Sequence, residues 1–247
     1  MLYLPKELLR QRMISNTERV ISAFQGRPKA AILMSLGGSN ARSVVTDPEL
    51  RDLYDFRAVV TDNPGSGAQD VASHAGIEYL PLAQGKFASP EARYAYFETM
   101  RHELGARGIA ICIYAGFMKV AKGPILSEMP GVNTHPADLT IVDSEGIPLY
   151  RGMDAVSLMR SGTGGYVASS THVVESEVDT GATFMRSLPV LADKDLSDTQ
   201  CHDMILKPIE RAMYPVALRM LANGALELSK APYTYNNGVV TPAGEEK

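Results

Sequence analysis

Cysteine is scarce in this sequence of 247 residues, which contains only Cys112 and Cys201. Two cysteines are too few for a disulfide scaffold or for a cysteine-based metal site. Cys112 lies in the apolar run 109–113, where we expect it to be a small buried hydrophobic side chain. No set of histidine, cysteine and carboxylate residues has the spacing of metal ligands either, so we expect no metal.

The sequence also lacks an excess of basic residues: 24 Lys and Arg stand against 28 Asp and Glu, and the net charge is -4. This charge balance does not indicate the basic surface with which proteins bind nucleic acid or an acidic membrane. No apolar stretch approaches the roughly 20 residues that a membrane span requires. Lys6, Glu7, Arg10 and Arg12 interrupt any secretory signal at the start. We therefore expect a cytoplasmic protein whose partners are small molecules rather than nucleic acid or membrane.

Apolar runs alternate with helical patterns over the first half of the chain. The runs lie at residues 30–35, 56–61, 77–82, 109–114 and 131–135. Continuous apolar runs of this length are typical of parallel strands that are buried on both faces. The alternation predicts an α/β fold with a doubly wound, mostly parallel sheet. Residues 165–175 and 183–190 predict an antiparallel strand pair near the C-terminus, and residues 199–223 predict the last long helix, bent or divided by its prolines.

Three segments are expected along the chain. Residues 1–28 are predicted to be an N-terminal helical extension, residues 29–229 the main domain, and residues 230–247 a polar tail that is poorly ordered. The extension can pack on the domain or on a second copy of the chain, which leaves a homodimer open. Residues 137–151 are expected to be an irregular loop, and loops of this length are often lids or binding loops.

Asn133 and His135 stand two residues apart on the predicted fifth strand. Side chains alternate along a strand, so both should project to the same side, and Pro136 should end the strand because it cannot donate to the ladder. An amide and an imidazole would then meet at the carboxyl edge of the sheet, where open α/β folds bind ligands. Such a pair can hold an oxygen that gains negative charge. Taken alone, an Asn-x-His pair is more simply a strand end that satisfies backbone groups.

A glycine turn, Leu36-Gly37-Gly38-Ser39-Asn40, follows the first predicted strand. Where a strand leads through a glycine turn into the start of a helix, free backbone N–H groups can converge on an anion. Ser39 is expected to cap the helix and to donate to a phosphate. Turns of this kind also simply connect a strand to a helix, so the turn by itself leaves both interpretations open.

Five short motifs occur in one order along the chain. They are Gly38-Ser39-Asn40, Ala115-Gly116-Phe117-Met118, Asn133-Thr134-His135-Pro136, Val178-Asp179-Thr180-Gly181 and Glu210-Arg211-Ala212-Met213-Tyr214-Pro215. This ordered set resembles the phosphoribosylglycinamide formyltransferases, a branch of the folate-dependent formyltransferases. The resemblance covers residues 29–229 and implies a Rossmann-like formyltransferase fold. It also implies transfer of a formyl group from 10-formyltetrahydrofolate to the primary amine of glycinamide ribonucleotide, a step of purine biosynthesis.

The resemblance implies a role for individual residues. Asn133 and a protonated His135 would stabilise the oxyanion of a tetrahedral intermediate, and Asp179 would orient His135 and favour its cationic form. The implied substrate-binding residues are Gly38, Ser39, Asn40, Met118, Pro136 and Glu210. The implied folate-binding residues are Met118, Lys119, Val120, Ala121 and Val178. Without the resemblance, Asp179 would be interpreted as a turn-capping residue and Glu210 as a solvated helix residue. The apolar residues of the implied folate-binding set would be interpreted as ordinary core.

Several positions depart from the family pattern. Lys119 stands where the family usually has Arg, and the two side chains are not interchangeable at a bidentate site. The stretch after His135, Pro136-Ala137-Asp138-Leu139-Thr140, differs from the family's Pro-Ser-Leu-Leu-Pro. A different amine acceptor and the hydrolysis of formyltetrahydrofolate therefore stay open as alternatives. A Rossmann-like nucleotide-binding regulatory protein is the alternative outside enzymes, although the G-x-G-x-x-G fingerprint is missing.

Overall fold

The computed structural model describes residues 17–242 and contains eleven strands within that range. They are β1 (Lys29–Leu33), β2 (Asp55–Thr61), β3 (Glu78–Pro81), β4 (Ile111–Tyr114), β5 (Gly131–His135), β6 (Tyr166–Val167), β7 (Ser170–Val173), β8 (Thr183–Ser187), β9 (Val190–Leu191), β10 (Tyr233–Asn236) and β11 (Val239–Thr241). Nine of them form one sheet in the order β11-β10-β8-β7-β5-β4-β1-β2-β3, while β6 and β9 pair separately. Strands β1 to β5 are parallel to one another, which confirms the predicted doubly wound sheet.

The helices cover both faces of the sheet. They are α1 (residues 17–23), α2 (Ser39–Val45), α3 (Pro48–Leu53), α4 (Ala68–Ala75), α5 (Pro90–Ala106), α6 (Ile125–Glu128), α7 (Ala155–Gly162), α8 (Asp198–Cys201) and α9 (Lys207–Ala222). The part of the expected N-terminal helix before residue 17 lies outside the described residues. No helix within residues 17–242 is long and apolar enough to cross a membrane.

The first strand shows why the parallel strands are apolar throughout. Ala30 and Ile32 belong to one buried cluster, which packs under α2 and α9, while Ala31 and Leu33 belong to a second cluster, which packs under α5. All four side chains are fully buried. Because both faces of β1 are covered, neither face has a place for a polar side chain. Cys112 belongs to the second cluster and is buried, as the sequence predicted.

The order of the strands locates the ligand-binding edge. The chain continues from β1 to β2 and β3 on one side, and then crosses to β4 and β5 on the other side. Open α/β sheets bind their ligands where the direction of winding reverses, at the carboxyl ends of the strands. This position lies between β1 and β4. The glycine turn follows β1, and β5 adjoins β4, so the two candidate motifs lie at the same edge.

The C-terminal half differs from the sequence prediction in two places. The predicted antiparallel pair is present as β7 and β8, but each predicted strand is interrupted, and its outer part forms the separate β6–β9 pair. The expectation of a poorly ordered tail is wrong for residues 233–241, because β10 pairs with β8 and β11 pairs with β10. Tyr233 and Tyr235 are buried there, so aromatic burial and strand pairing outweigh a polar, glycine-containing composition.

The last helical region is divided just before Pro208, the first of its two prolines, as expected. A five-residue π-helical turn, His202–Leu206, separates α8 from α9. Pro208 lies in the first turn of α9, directly after this π-helical turn. Pro215 lies within α9. This arrangement carries Glu210 on a buried face of the helix.

Candidate active site

Strand β5 carries the central pair of the site. β5 lies between β4, with which it is parallel, and β7, with which it is antiparallel. Asn133 is partly exposed and His135 is buried at the end of the strand, directly before Pro136. In the β5–β7 ladder, Asn133 lies opposite His172 and His135 lies opposite Ser170. The pairing therefore adds a second histidine to the site.

His172 orients the amide of Asn133. Its Nδ1 lies 2.8 Å from the carbonyl oxygen of Val173, which can only accept, so Nδ1 carries the ring proton. The unprotonated Nε2, 3.1 Å from Nδ2 of Asn133, then accepts a hydrogen bond from the amide. Burial lowers the pKa of His172 to about 4, which keeps this tautomer neutral. One amide N–H of Asn133 is thus occupied, and the second is left for a ligand.

His135 is held between two acceptors. Its Nε2 lies 2.9 Å from the carbonyl oxygen of Tyr150, and its Nδ1 lies 3.3 Å from Oδ2 of Asp179. A carbonyl oxygen and a carboxylate oxygen both accept, so the doubly protonated imidazolium is the form that satisfies both contacts. The cluster of Asn133, His135 and Asp179 therefore combines a directed amide N–H with an imidazole whose two ring nitrogens both face acceptors.

The position of Asp179 depends on an unusual backbone. Its φ is 51°, a left-handed conformation that aspartate tolerates better than most residues. Its Oδ2 accepts a hydrogen bond of 2.9 Å from the backbone N–H of Gly152. Gly181 lies so close to the end of β7 that a Cβ there would overlap the carbonyl oxygen of Val173. The Asp-x-Gly motif thus combines a tight turn with a close backbone approach, and the carboxylate is directed at His135.

The loop at residues 137–151 contributes through its main chain. It supplies the Tyr150 carbonyl for His135, and Gly152, directly after it, supplies the N–H for Asp179. The ring of Tyr150 is buried against α7, where a Cβ on Gly162 would overlap its hydroxyl group. The irregular loop is therefore packed against the domain and positions the side chains of His135 and Asp179.

The glycine turn after β1 is tightly packed. Gly38 has φ 77°, and a Cβ there would lie 2.6 Å from Cε of Met34. A Cβ on Gly67 would lie 2.6 Å from the carbonyl oxygen of Gly37, so the neighbouring turn also requires a glycine. Gly38 is the N-cap of α2 and no side chain caps the helix. The expectation that Ser39 caps this helix is wrong, because Ser39 is its first residue.

Glu210 joins the glycine turn to α9. Its Oε2 accepts a hydrogen bond of 2.6 Å from Nδ2 of Asn40, and its Oε1 accepts one of 3.3 Å from Oγ of Ser169. Glu210 is buried, so the interpretation of this residue as a solvated helix residue is wrong. Burial raises its pKa to about 7. Oδ1 of Asn40 is buried and has no partner among the described residues, which leaves an acceptor available beside Glu210.

A set of partly exposed apolar residues, here called the apolar wall, lies in the segment after β4 and in the turn between β7 and β8. Met118 is 39% exposed, Val120 and Val178 are half-buried, and Ala121 is buried. Nζ of Lys122 donates to the carbonyl oxygen of Ser176 and so joins the two segments that carry this wall. An exposed methionine beside a polar cluster offers apolar contact to a planar ligand.

Lys119 is directed away from this wall. Its Nζ donates to the carbonyl oxygen of Gly85 at 2.9 Å and lies 3.4 Å from Oδ2 of Asp62. Asp62 in turn accepts from Oγ of Ser35, which itself accepts from the N–H of Met118 at 2.8 Å. This network connects the ends of β1, β2 and β4. Within residues 17–242, no group of three or more histidine, cysteine or carboxylate side chains is arranged to hold a metal ion.

Comparison with known proteins identifies the family. The model of the family described as "Formyl transferase" matches residues 28–217. The chain belongs to the formyl transferase family. Among its relatives, the trifunctional purine biosynthetic protein adenosine-3 of Drosophila melanogaster is 31% identical over 225 residues, which are 87% of this chain and 15% of that protein. Phosphoribosylglycinamide formyltransferase of Escherichia coli is 24% identical over 201 residues, which are 80% of this chain and 88% of that protein.

Solved structures support the formyl transferase fold. Glycinamide ribonucleotide transformylase 1 from Symbiobacterium toebii has a TM-score of 0.69 and 20% identity, and the match covers 87% of this chain and 94% of that one. The resemblance noted in the sequence is confirmed at the level of the family and the fold. The chain spans only a small part of the trifunctional relatives, 15% of the Drosophila protein and 22% of the Gallus gallus one.

Part of this candidate site has no signature in the sequence. Of the predicted residues, His135 contacts Asp179 and Asn40 contacts Glu210, while Asn133 is linked to Asp179 only through His172. The main-chain groups of Tyr150 and Gly152 carry no sequence signature, because any residue offers a carbonyl and an N–H. His172 could have been found from its position on a strand predicted to be antiparallel, although the sequence alone does not give the register opposite Asn133.

We expect Gly181→Ala to lower both the stability and the activity of this formyl transferase. The new Cβ would overlap the Val173 carbonyl, so the turn that carries Asp179 must move, at a cost of about 3 kcal/mol. For a domain of this size, that cost lowers Tm by roughly 6–12 °C. Differential scanning calorimetry and steady-state kinetics measure the two effects. Gly85→Ala is the matched control, since a Cβ there meets nothing within 4 Å. Equal Tm values for the two variants would contradict the packing argument.

We expect Glu210→Gln to stabilise the protein at high pH only. The pKa of Glu210 is raised from 4.5 to about 7 by burial, so between these values the unfolded chain releases a proton that the native state keeps. Native stability is therefore lost as the pH rises through about 7, by about 3 kcal/mol in total. Urea unfolding at pH 5 and pH 8 tests this, with the exposed Glu145→Gln as control. A stabilisation by Glu210→Gln that is equal at both pH values would contradict it.

Proposed function

We propose that this chain transfers a formyl group from 10-formyltetrahydrofolate to the primary amine of glycinamide ribonucleotide, a step of purine biosynthesis. The observation that carries the proposal is the convergence of Asn133, His135 and Asp179 at the carboxyl edge of the sheet. Membership of the formyl transferase family and the names of the relatives from Drosophila melanogaster and Escherichia coli support the choice of acceptor.

The acceptor would lie between the glycine turn and α9. The backbone N–H groups of Gly38, Ser39 and Asn40 would hold its phosphate, since no side chain caps this end of α2. Glu210 and Oδ1 of Asn40 would accept from its amine. A carboxylate whose pKa is about 7 can take a proton from an ammonium group at neutral pH. Glu210 would therefore help to supply the neutral amine that attacks.

The catalytic cluster would act on the formyl carbon. The amine nitrogen forms a bond to this carbon, and the carbonyl oxygen becomes an oxyanion. The free N–H of Asn133 would donate to this oxyanion, and the imidazolium of His135 would stabilise its charge; donors of this kind contribute on the order of 3–4 kcal/mol each. Asp179 would hold His135 and help to move the amine proton to N10 of the folate, from which the carbon then departs. The products are the formamide and tetrahydrofolate.

The folate would lie against the apolar wall. Met118, Val120 and Val178 would contact the pterin, and buried Ala121 would support the segment. Lys119 would act indirectly, because its ammonium group fixes the turn at Gly85 while its backbone continues the wall. Pro136 would close the site behind the catalytic strand.

A formyl-transfer assay tests the proposal. Purified protein is given 10-formyltetrahydrofolate with glycinamide ribonucleotide, with a panel of other primary amines, or with water alone. We expect kcat/KM to be highest for glycinamide ribonucleotide and to fall when its phosphate is removed. His135→Ala serves as the inactive control. A higher rate with another amine would change the assigned acceptor, and equal formate release without any amine would indicate a hydrolase.

A further inference from the structure

A cavity of about 150 Å³ lies at the opposite edge of the sheet from the catalytic cluster. It is lined by residues just before β1, at the start of β2 and just before β3, which include Arg27, Arg51, Tyr54, Phe56 and Ile77. These are the amino ends of the parallel strands, whereas Asn133 and the glycine turn lie at the carboxyl ends. The cavity is thus separate from the proposed formyl transfer site.

Two arginine side chains flank this cavity, and each is fixed by one hydrogen bond. Nε of Arg27 donates to the carbonyl oxygen of Asp52 at 3.0 Å, and Nη2 of Arg51 donates to that of Ala75 at 3.3 Å. A guanidinium has five N–H groups, and the remaining ones have no acceptor within residues 17–242. Both cations therefore keep most of their donors for a ligand.

The backbone at Arg27 is strained. Its φ is 59°, in the left-handed region, which a long side chain rarely adopts. The preceding residue, Gly26, also has a positive φ, of 73°, but glycine adopts this conformation without strain. Strain of this kind persists where the surrounding structure fixes a side chain, and it is concentrated at ligand clamps. Here the strained backbone and the bond to Asp52 bring the guanidinium to the cavity.

One part of the cavity lining is apolar and aromatic, beside the charged groups. The rings of Tyr54 and Phe56 lie with their centroids 5.8 Å apart, and Val45 and Ile77 add aliphatic surface. Asp55 is the one carboxylate among the lining residues, and Arg57 pairs with it at 2.6 Å. The local charge is therefore positive. A volume of about 150 Å³ is large enough for a benzene ring.

We propose that this cavity binds a small carboxylate with a planar apolar body, of the size of benzoate. The carboxylate would accept from Arg27 and Arg51, whose planar guanidinium groups match its geometry, and the ring would lie against Phe56. Neither the folate nor the amine acceptor takes part, so the inference goes beyond the proposed function and does not depend on it.

Isothermal titration calorimetry of the full chain with benzoate tests this proposal. We expect saturable binding of one benzoate per chain, and no binding of benzamide, which has the same shape without the charge. Arg27→Gln and Arg51→Gln should each weaken benzoate binding by about tenfold, the effect of losing one charged hydrogen-bond partner. Arg27→Lys keeps the positive charge but loses the planar guanidinium group. It should therefore weaken benzoate binding less than Arg27→Gln does.

The control is Arg211→Gln, which removes an equal charge from an exposed position on α9. It should bind benzoate like the parent protein. Absence of saturable benzoate binding to the parent protein would overturn the proposal, as would unchanged binding to Arg27→Gln and Arg51→Gln. Failure of formyl transfer in the assay above would leave these results unaffected, so the two proposals are tested separately.

Discussion

His135→Ala and Asp179→Asn are each expected to lower kcat by about 100- to 10,000-fold, the range for loss of a positioned proton-transfer group. The alanine variant removes the imidazole that the proposed mechanism places beside the reacting carbon. The asparagine variant keeps the shape of Asp179 and can still accept from the N–H of Gly152, but it removes the negative charge 3.3 Å from Nδ1 of His135. Steady-state kinetics at saturating substrates measures both effects.

Binding and folding must be separated from chemistry in these variants. Fluorescence titration with a non-reactive folate analogue should give similar Kd values for Asp179→Asn and the parent protein, because the apolar wall is untouched. His102→Ala and Asp195→Asn are the matched controls, since both residues are exposed. Turnover of Asp179→Asn equal to that of the parent protein would remove this carboxylate from the mechanism.

The parallel half of the fold follows from the sequence because burial on both faces leaves a local signal. Each of the strands β1, β2 and β4 has a continuous apolar run, and α3 and α5 among the helices between them begin with a side-chain cap and a proline. Asn133 and His135 could be placed on one side of β5 from alternation alone. The chemistry of the trio, in contrast, came from the resemblance, since Asp179 lies 44 residues beyond His135 and no local rule joins them.

The sequence could not predict the parts that depend on long-range pairing. β10 joins the sheet beside β8, which is 46 or more residues away, and its local composition is that of a tail. The loop after His135 was expected to be irregular, and it is, but its role depends on the Tyr150 carbonyl meeting an imidazole. Ser169 and Asn40 meet Glu210 only because α9 crosses the edge of the sheet.

The loop at residues 137–151 also constrains how the site can work. Nε2 of His135 donates to Tyr150, so a formyl oxygen cannot take this N–H unless the carbonyl gives it up. Asn133 has no such competitor for its second N–H. The direct hydrogen bond to the oxyanion is therefore expected to come from Asn133, while His135 acts through its charge and its proton.

Asn133→Ala is accordingly expected to lower kcat by about 100- to 1,000-fold, the usual cost of removing one oxyanion donor. The Kd for a folate analogue should change little, because the interaction is made only as charge develops. Asn133→Asp is a sharper test of the amide N–H than Asn133→Ala. It keeps the shape of the side chain but places a carboxylate, which cannot donate, beside the oxyanion. An Asn133→Ala variant with raised KM and unchanged kcat would assign the amide to ground-state binding instead.

The same argument makes His172 a positioning residue, because it acts by accepting from Nδ2 of Asn133. His172→Leu removes that acceptor and should lower kcat by about tenfold, a smaller loss than Asn133→Ala, since the amide is freed but still present. His172→Gln offers an amide oxygen in its place and should restore part of the rate. In the double variant of Asn133→Ala and His172→Leu, the losses should not add, because one residue acts through the other. Additive losses would instead indicate that His172 acts through Asp179, whose Oδ1 lies 3.5 Å from its Nε2.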